Sequence, residues 1–222
     1  MNLEQLIQQF RVDSDDMQSP PLWESEWIAA WLTEAQDEAA IRGRLLMDDY
    51  TPALTQIPVT AGVSSYALHP KLYEIAVIDF VPEVGYVQPV YLTSREKLDR
   101  DRNGWRNEPP GTPCNAIQTD TRLRLVPVPS IDGSLRIEGY RLPLKALVND
   151  NDKPEIHEAH HLQLVHWALY RAFSKPDADG RDPGRAAAAE AAFTAYFGPL
   201  PDADLRRSTR HDEVQANKSF FA

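Results

Sequence analysis

Two stretches of the 222-residue chain and a lone cysteine carry residue types that could do chemistry. His157-Glu158-Ala159-His160-His161 satisfies H-E-x-x-H, in which histidines at i and i+4 share a helix face, hold zinc and leave the glutamate as general base. The setting is poor for that chemistry. The motif falls in the first turns of its predicted helix, no third histidine follows at metzincin spacing, and Glu190, the remaining ligand on offer, stands in an alanine run. The competing reading puts His161 on the buried side, with His157 and His160 hydrogen-bonded near the helix start. Asp177–Asp182 hints at a calcium loop, but Arg181 replaces a third acidic ligand and Ala188 sits where a bidentate glutamate belongs. A polar turn ending in an Asp182 N-cap fits better. Cys114, the single cysteine, excludes an internal disulfide and reads as a small apolar residue at a proline-bounded strand start. The chain has no phosphate-cradling G-x-x-x-x-G-K-[ST] or G-x-G-x-x-G and no G-x-S-x-G elbow.

The composition is that of a globular domain, 42% hydrophobic and 25% charged, with a net charge of −10. Residues 1–50 hold eleven acids against three bases. Such a balance argues against a protein that grips nucleic acid by neutralising phosphates. No apolar run reaches the roughly 20 residues a membrane helix needs, and the acidic first residues do not resemble a secretory signal.

The elements that must position these residues are mapped by proline. Eleven of 18 prolines fall between Pro52 and Pro143, where missing N–H groups disfavour helix. The flanks therefore read as helical and the middle as β. A short helix is predicted over Leu3–Phe10, with Leu3, Leu6, Ile7 and Phe10 on one face. A longer one runs from Ser25 to Leu46, its stripe built on Trp27, Trp31, Ala35 and Ala39 and widened by Ile28 and Leu32. Strands are predicted at 63–68, 72–81, 87–94, 121–128 and 134–142, with a helical interruption at Arg95–Arg102. Alternation of Arg122 and Arg124 with Leu123 and Leu125, and of Arg136 and Glu138 with Leu135 and Ile137, indicates antiparallel sheet, and Ile131-Asp132-Gly133 reads as the hairpin turn between them. Asp152 and Glu155 look like a capping box with Pro154 in the first turn, opening a helix that buries Leu162, Val165, Leu169 and Phe173, broadened by Trp167 and Tyr170. Asp182 and Pro183 open the last helix, which Gly198-Pro199 ends. The five tryptophans, Trp23, Trp27, Trp31, Trp105 and Trp167, read as core or interface anchors. The expected fold class is α+β: a helical bundle from N- and C-terminal helices with an inserted antiparallel β domain. Its parts are a helical 1–50, a β insert over 51–148, helices over 149–198 and an extended tail over 199–222.

Read in order, several motifs form a pattern. W-x-x-x-W-L-x-E-A-Q (Trp27, Trp31, Leu32, Glu34, Ala35, Gln36) comes first, then V-T-A-G-x-x-x-Y-x-L (Val59–Leu68) and a strand with Ile75 and Ile78. A loosely spaced Trp105, Pro110, Gly111, Pro113 and an L-x-P-x-P (Leu125, Pro127, Pro129) follow. The finish is helical, L-x-x-W-A-L-Y-R-A-F-x-K-x-D-A-D (Leu164–Asp179) and A-x-F-x-x-Y-F-G (Ala191–Gly198). The order resembles the head-to-tail adaptor proteins of tailed bacteriophages, the group that includes tail tubular protein A. It covers residues 22–198, and none of its pieces is a catalytic signature.

The resemblance implies a non-enzymatic virion protein without a cofactor, made in the host cytoplasm. It would form a ring, usually of about twelve copies, under the portal protein. The ring would extend the DNA channel and carry the tail or nozzle protein, with genomic DNA passing through unbound and no membrane involved. In such adaptors a C-terminal extension reaches the portal, and here the residues that would dock are Arg206, Arg207, Arg210, Phe220 and Phe221. Readings from other classes are an H-E-x-x-H zinc metallopeptidase using His157, Glu158 and His161, and a β domain with a small-molecule pocket. The charge balance generates a first test. In gel shifts at ~150 mM salt the protein should hold duplex DNA no more tightly than micromolar; tighter retention would contradict the reading.

Overall fold

The computed structural model describes residues 1–176 and 180–201. In chain order the elements are α1 (Leu3–Ser14), α2 (Ser25–Gly43), β1 (Met47–Asp48), α3 (Pro52–Thr55), β2 (Gln56–Val59), β3 (Ser65–Ala67), β4 (Leu72–Pro82), β5 (Gln88–Pro89), β6 (Tyr91–Leu92), α4 (Arg95–Asp101), β7 (Asn115–Gln118), β8 (Arg122–Val126), β9 (Gly133–Arg141), α5 (Leu164–Ser174) and α6 (Pro183–Phe197), with 3-10 turns at Trp105–Asn107 and Glu158–Gln163. The fold is mixed α+β, with six α-helices among the described residues and antiparallel-rich sheets. Two compact units divide it. The first holds Met1–Asp48, Lys71–Glu74 and Gly139–Leu200; the second holds Asp49–Pro70, Ile75–Glu138 and, among the described residues, Pro201.

In the first unit the helices share one core, and α5 lies at its centre. Seven of its eleven residues are buried, from Leu164 to Phe173, and it packs on α1, α2 and α6. Helix α1 opens with a reciprocal capping box between Asn2 and Gln5 and buries Leu3, Leu6 and Phe10. Helix α2 buries Ile28, Leu32, Ala35 and Ala39 together with Gln36 and Ala40. The expected stripe is thus rotated: Trp31 is only half-buried and Trp27 is 43% exposed. The helix stops at Gly43 instead of continuing to Leu46. Arg44 takes the left-handed conformation (φ 49°), and a Cβ on Gly43 would meet Leu45 at 2.8 Å, so the glycine lets Leu45 fold back.

The expected helix start at Asp152–Glu155 does not form. Asp152 turns back to accept the Val148 and Asn149 N–H groups at 2.9 and 2.7 Å, and those bonds, Asn149's first, hold its carboxyl below the usual value. Glu155 pairs with Arg141 at 3.1 Å and accepts the Leu144 N–H. The chain therefore reaches α5 through the 3-10 turn, and Leu162 lies at its surface, 46% exposed, instead of in the stripe. Val165, Leu169, Phe173 and Trp167 are buried as expected. Asp182 caps α6 through the Gly184 and Arg185 N–H groups, with Pro183 in the first position.

In the second unit β8 lies between β3 and β7 in a sheet ordered β3-β8-β7-β6, with Leu123 and Leu125 buried. Strand β9 belongs to the other sheet, ordered β1-β9-β4-β5 with β2 also on β9. The hairpin expected between β8 and β9 is therefore absent. Pro127 and Pro129 end the β8 ladder because they lack donors. Gly133 then brings β9 against β4, where a Cβ would meet Val81 O at 2.5 Å. Three short segments escaped the sequence reading, β1, β2 and α3, while β7 follows the strand start expected at Cys114. The predicted 87–94 strand is split into β5 and β6, and β6 pairs with β7 in parallel, Tyr91 opposite Asn115. The α4 segment, expected as an interruption, lies in the crossover that a parallel pair needs.

These packing assignments separate two leucines that the sequence had placed on one stripe. Leu169→Ala should cost ~2–5 kcal/mol by urea denaturation, whereas Leu162→Ala should stay within ~0.5 kcal/mol of the parent.

Candidate functional site

The histidine cluster is built on a 3-10 turn, and that decides its chemistry. At three residues per turn, positions i and i+4 stand about 120° apart instead of sharing a face. His157 is the extended N-cap, its Nδ1 accepting the Ala159 N–H at 3.2 Å. His161 is buried, with Nε2 donating to the Ile156 carbonyl at 2.9 Å and Nδ1 beside the Met1 amino group and carbonyl at 2.9 and 3.0 Å. Glu158 faces Lys153 at 3.8 Å. The structure does not assemble the zinc set. Glu190 is exposed on α6, and no group of three His, Cys, Asp or Glu suited to a metal occurs among the described residues.

What the cluster does instead is hold the last turn of α6. His160 Nδ1 lies 3.1 Å from the Tyr196 hydroxyl, and its ring packs edge-on against Tyr196 and Phe197. An aromatic row continues inward through Phe197, Phe193 and Trp167, with centroids 4.7 and 5.0 Å apart. Arg42 lies over Trp167 and Phe193 at 5.0 and 5.2 Å and pairs with Glu38 and Thr194. Most of the helical motif is thus core and clamp.

The motifs in the second unit also converge. The Tyr66 hydroxyl donates to the Val63 carbonyl at 2.7 Å and accepts the Thr60 N–H at 3.2 Å, closing the turn after Val59-Thr60-Ala61-Gly62. Gly62, at φ 80°, donates to the Pro129 carbonyl, and Gly111 donates to Val128 while accepting from Ser130. The V-T-A-G, P-G-x-P and L-x-P-x-P segments therefore lock one another. Trp105 anchors a small cluster with Leu98, Ile117 and Val126. Its indole N–H donates to Asp99, whose carboxyl is held at about 2, chiefly by Arg106 and then by that indole. Cys114 is exposed, 3.3 Å from an Arg102 nitrogen.

One surface feature was not anticipated. Trp27, Trp31 and Ala30 on α2 and Arg171, Ser174 and Lys175 at the end of α5 line an open cleft of about 340 Å³. Lys175 Nζ lies 3.2 Å from the centroid of the Trp27 ring, and Arg171 pairs with Glu34. The clue in the sequence was Trp27 itself, which the stripe absorbed too readily. Of the other candidate residues, Asp182 is the α6 cap, Asp177–Asp179 lie outside the described residues, and so do Arg206, Arg207, Arg210, Phe220 and Phe221.

Burial, then the neighbouring His157 and His161, lowers the His160 pKa below 6.5. The fold thus favours neutral His160, and unfolding takes up a proton as pH falls below 6.5. That contribution is complete above pH 6.5 and is lost as pH drops through the depressed value. The melting temperature should fall between pH 7.5 and 5.5, and His160→Gln should shrink that fall.

Among the described residues the motifs singled out in the sequence serve as clamps and turns. No individual curated protein matches the chain. The family model described as SU10 adaptor protein matches residues 1–215, nearly the whole sequence. The chain belongs to the SU10 adaptor protein family, structural adaptors of the phage virion that serve tail assembly.

Proposed function

We propose that the protein works as a head-to-tail adaptor that assembles as a ring of about twelve copies under the portal, extends the DNA channel and presents the platform for the tail. The observation that carries this reading is the family match across residues 1–215. The division into parts supports it: the first unit draws mainly on Met1–Asp48 and Gly139–Leu200, and the second mainly on the stretch between. On this reading 1–50 and 149–198 form the helical part, 51–148 is the inserted β domain and 199–222 is the extension. A net charge of −10 suits a channel through which DNA slides, because a surface that releases no counterions does not retain it. Among the described helices none is long and apolar enough to cross a membrane.

The docking element on this reading is the tail. Arg206, Arg207 and Arg210 alternate with Asp202, Asp204, Asp212 and Glu213, a pattern that suits a polar groove, and Phe220 and Phe221 supply apolar anchors. Removing 202–222 should leave the melting temperature within ~2 °C of the parent and abolish capture by the portal, with electron microscopy of the mixture showing no ring on the portal. Normal docking of the truncated chain would overturn the assignment.

A further inference from the structure

One end of the second unit is a cap of three turns tied together by hydrogen bonds. Ala61 N–H donates to the Asp132 carboxylate at 2.6 Å, Gly62 N–H to the Pro129 carbonyl at 2.8 Å and Glu83 N–H to the Asp132 carbonyl at 3.1 Å. The cap is apolar where it meets water: Val84 is 83% exposed, Tyr86 88%, Val63 42% and Ile131 41%. Gly85, at φ 124°, makes the turn between Val84 and Tyr86. The Glu83 carboxylate is exposed beside them and has no partner among the described residues. Apolar side chains gathered on one exposed surface mark a place where another molecule docks.

The first unit carries a concave surface of the opposite character. The cleft at Trp27 is lined by two indoles and two cations, Arg171 and Lys175. Arg171 is engaged by Glu34. Lys175 lies over the Trp27 ring, and its ammonium meets no carboxylate among the described residues. An ammonium has three N–H donors, and contact with the face of one ring leaves donors for a carboxylate. The cleft therefore suits apolar and aromatic side chains against its indoles and one negative charge at Lys175. The cap at Glu83, Val84 and Tyr86 is convex and supplies that combination. Its exposure places it outside the cleft of its own chain. A convex patch and a matching pocket on different faces of one chain make a heterologous contact, which passes from copy to copy and closes into a ring where the rotation allows.

We infer that the Trp27 cleft of one copy receives the 83–87 turn of a second copy, with Val84 and Tyr86 against the indoles and the Glu83 carboxylate at the Lys175 ammonium. The inference rests on the ring reading and deepens it by naming the contact between neighbours. Charge selects the segment: a carboxylate on the turn is attracted by the unpaired ammonium, and a basic segment in its place is repelled.

The test is sedimentation velocity of the full chain without portal over a hundredfold concentration range, with the parent, Tyr86→Ser, Glu83→Lys, Lys175→Glu and an equal mixture of the last two. The parent should self-associate, and each variant alone should do so at least tenfold more weakly. The mixture should regain the parent's association, because every contact between unlike copies then joins opposite charges. Unchanged melting temperatures verify folding. A parent that stays monomeric throughout, variants that associate as the parent does, or a mixture that stays dissociated overturns the inference. Electron microscopy with portal separates this contact from the adaptor reading. Glu83→Lys rings on the portal indistinguishable from the parent's overturn the contact and leave the adaptor reading standing. A parent whose charge-dependent association is present but which never docks on the portal sinks the adaptor reading and supports the contact.

Discussion

Helix α5 is almost entirely apolar on the sides it presents to its neighbours, and covering it is the constraint on which the first unit depends. Leu164, Val165, Ala168, Leu169, Ala172 and Phe173 are buried among α1, α2 and α6. Each large side chain removed from water contributes roughly 1.5–3 kcal/mol, more than any surface charge in the unit can offer. Small residues are buried on both helices of the α5–α6 pair, Ala168 and Ala172 on one and Ala186 and Ala189 on the other, with Trp167 packed on Phe193 between them. Arg42 then closes the aromatic row at Trp167 and Phe193, its charge shared with Glu38.

A second constraint in the same unit is electrostatic. Arg141, at the end of β9, is buried and meets Asp48 of β1 at 2.7 Å and Glu155 at 3.1 Å. Removing such charges from water is costly, and the arrangement holds because each is met by an opposite charge. Arg141 also donates to the Leu142 carbonyl, and Glu155 accepts from Leu144. One guanidinium thus fixes the irregular path from β9 toward the 3-10 turn. It is also why Glu155 does not cap a helix: its carboxylate is already engaged.

The histidines that looked most like chemistry act as fasteners, as do the glycines and the tyrosine of the motifs read in order along the chain. His161 donates to the buried Ile156 carbonyl, His160 holds the last turn of α6, and Tyr66, Gly62 and Gly111 lock turns of the second unit. Residues of this kind hold turns and a helix end in place. Trp27, 43% exposed, packs instead at the surface, its ring beneath the Lys175 ammonium.

The sequence by itself determined the helical flanks and the β-rich middle, because apolar period and proline placement are local properties of the chain. It also determined the Asp182 cap, the burial of Leu123, Leu125, Leu135 and Ile137, and the family, whose motifs are read in order along the chain. Tertiary structure alone decided the rest. Whether Asp152 and Glu155 cap a helix depended on where Val148 and Arg141 came to lie. Whether β8 pairs with β9 depended on Gly133 accepting the close approach of β4. Whether Trp27 or Ile28 faces the core depended on a rotation of α2 that the hydrophobic period leaves open within a residue. In each case the sequence offered two partners for one group, and the choice was made by contacts with residues distant along the chain, which local periodicity does not encode.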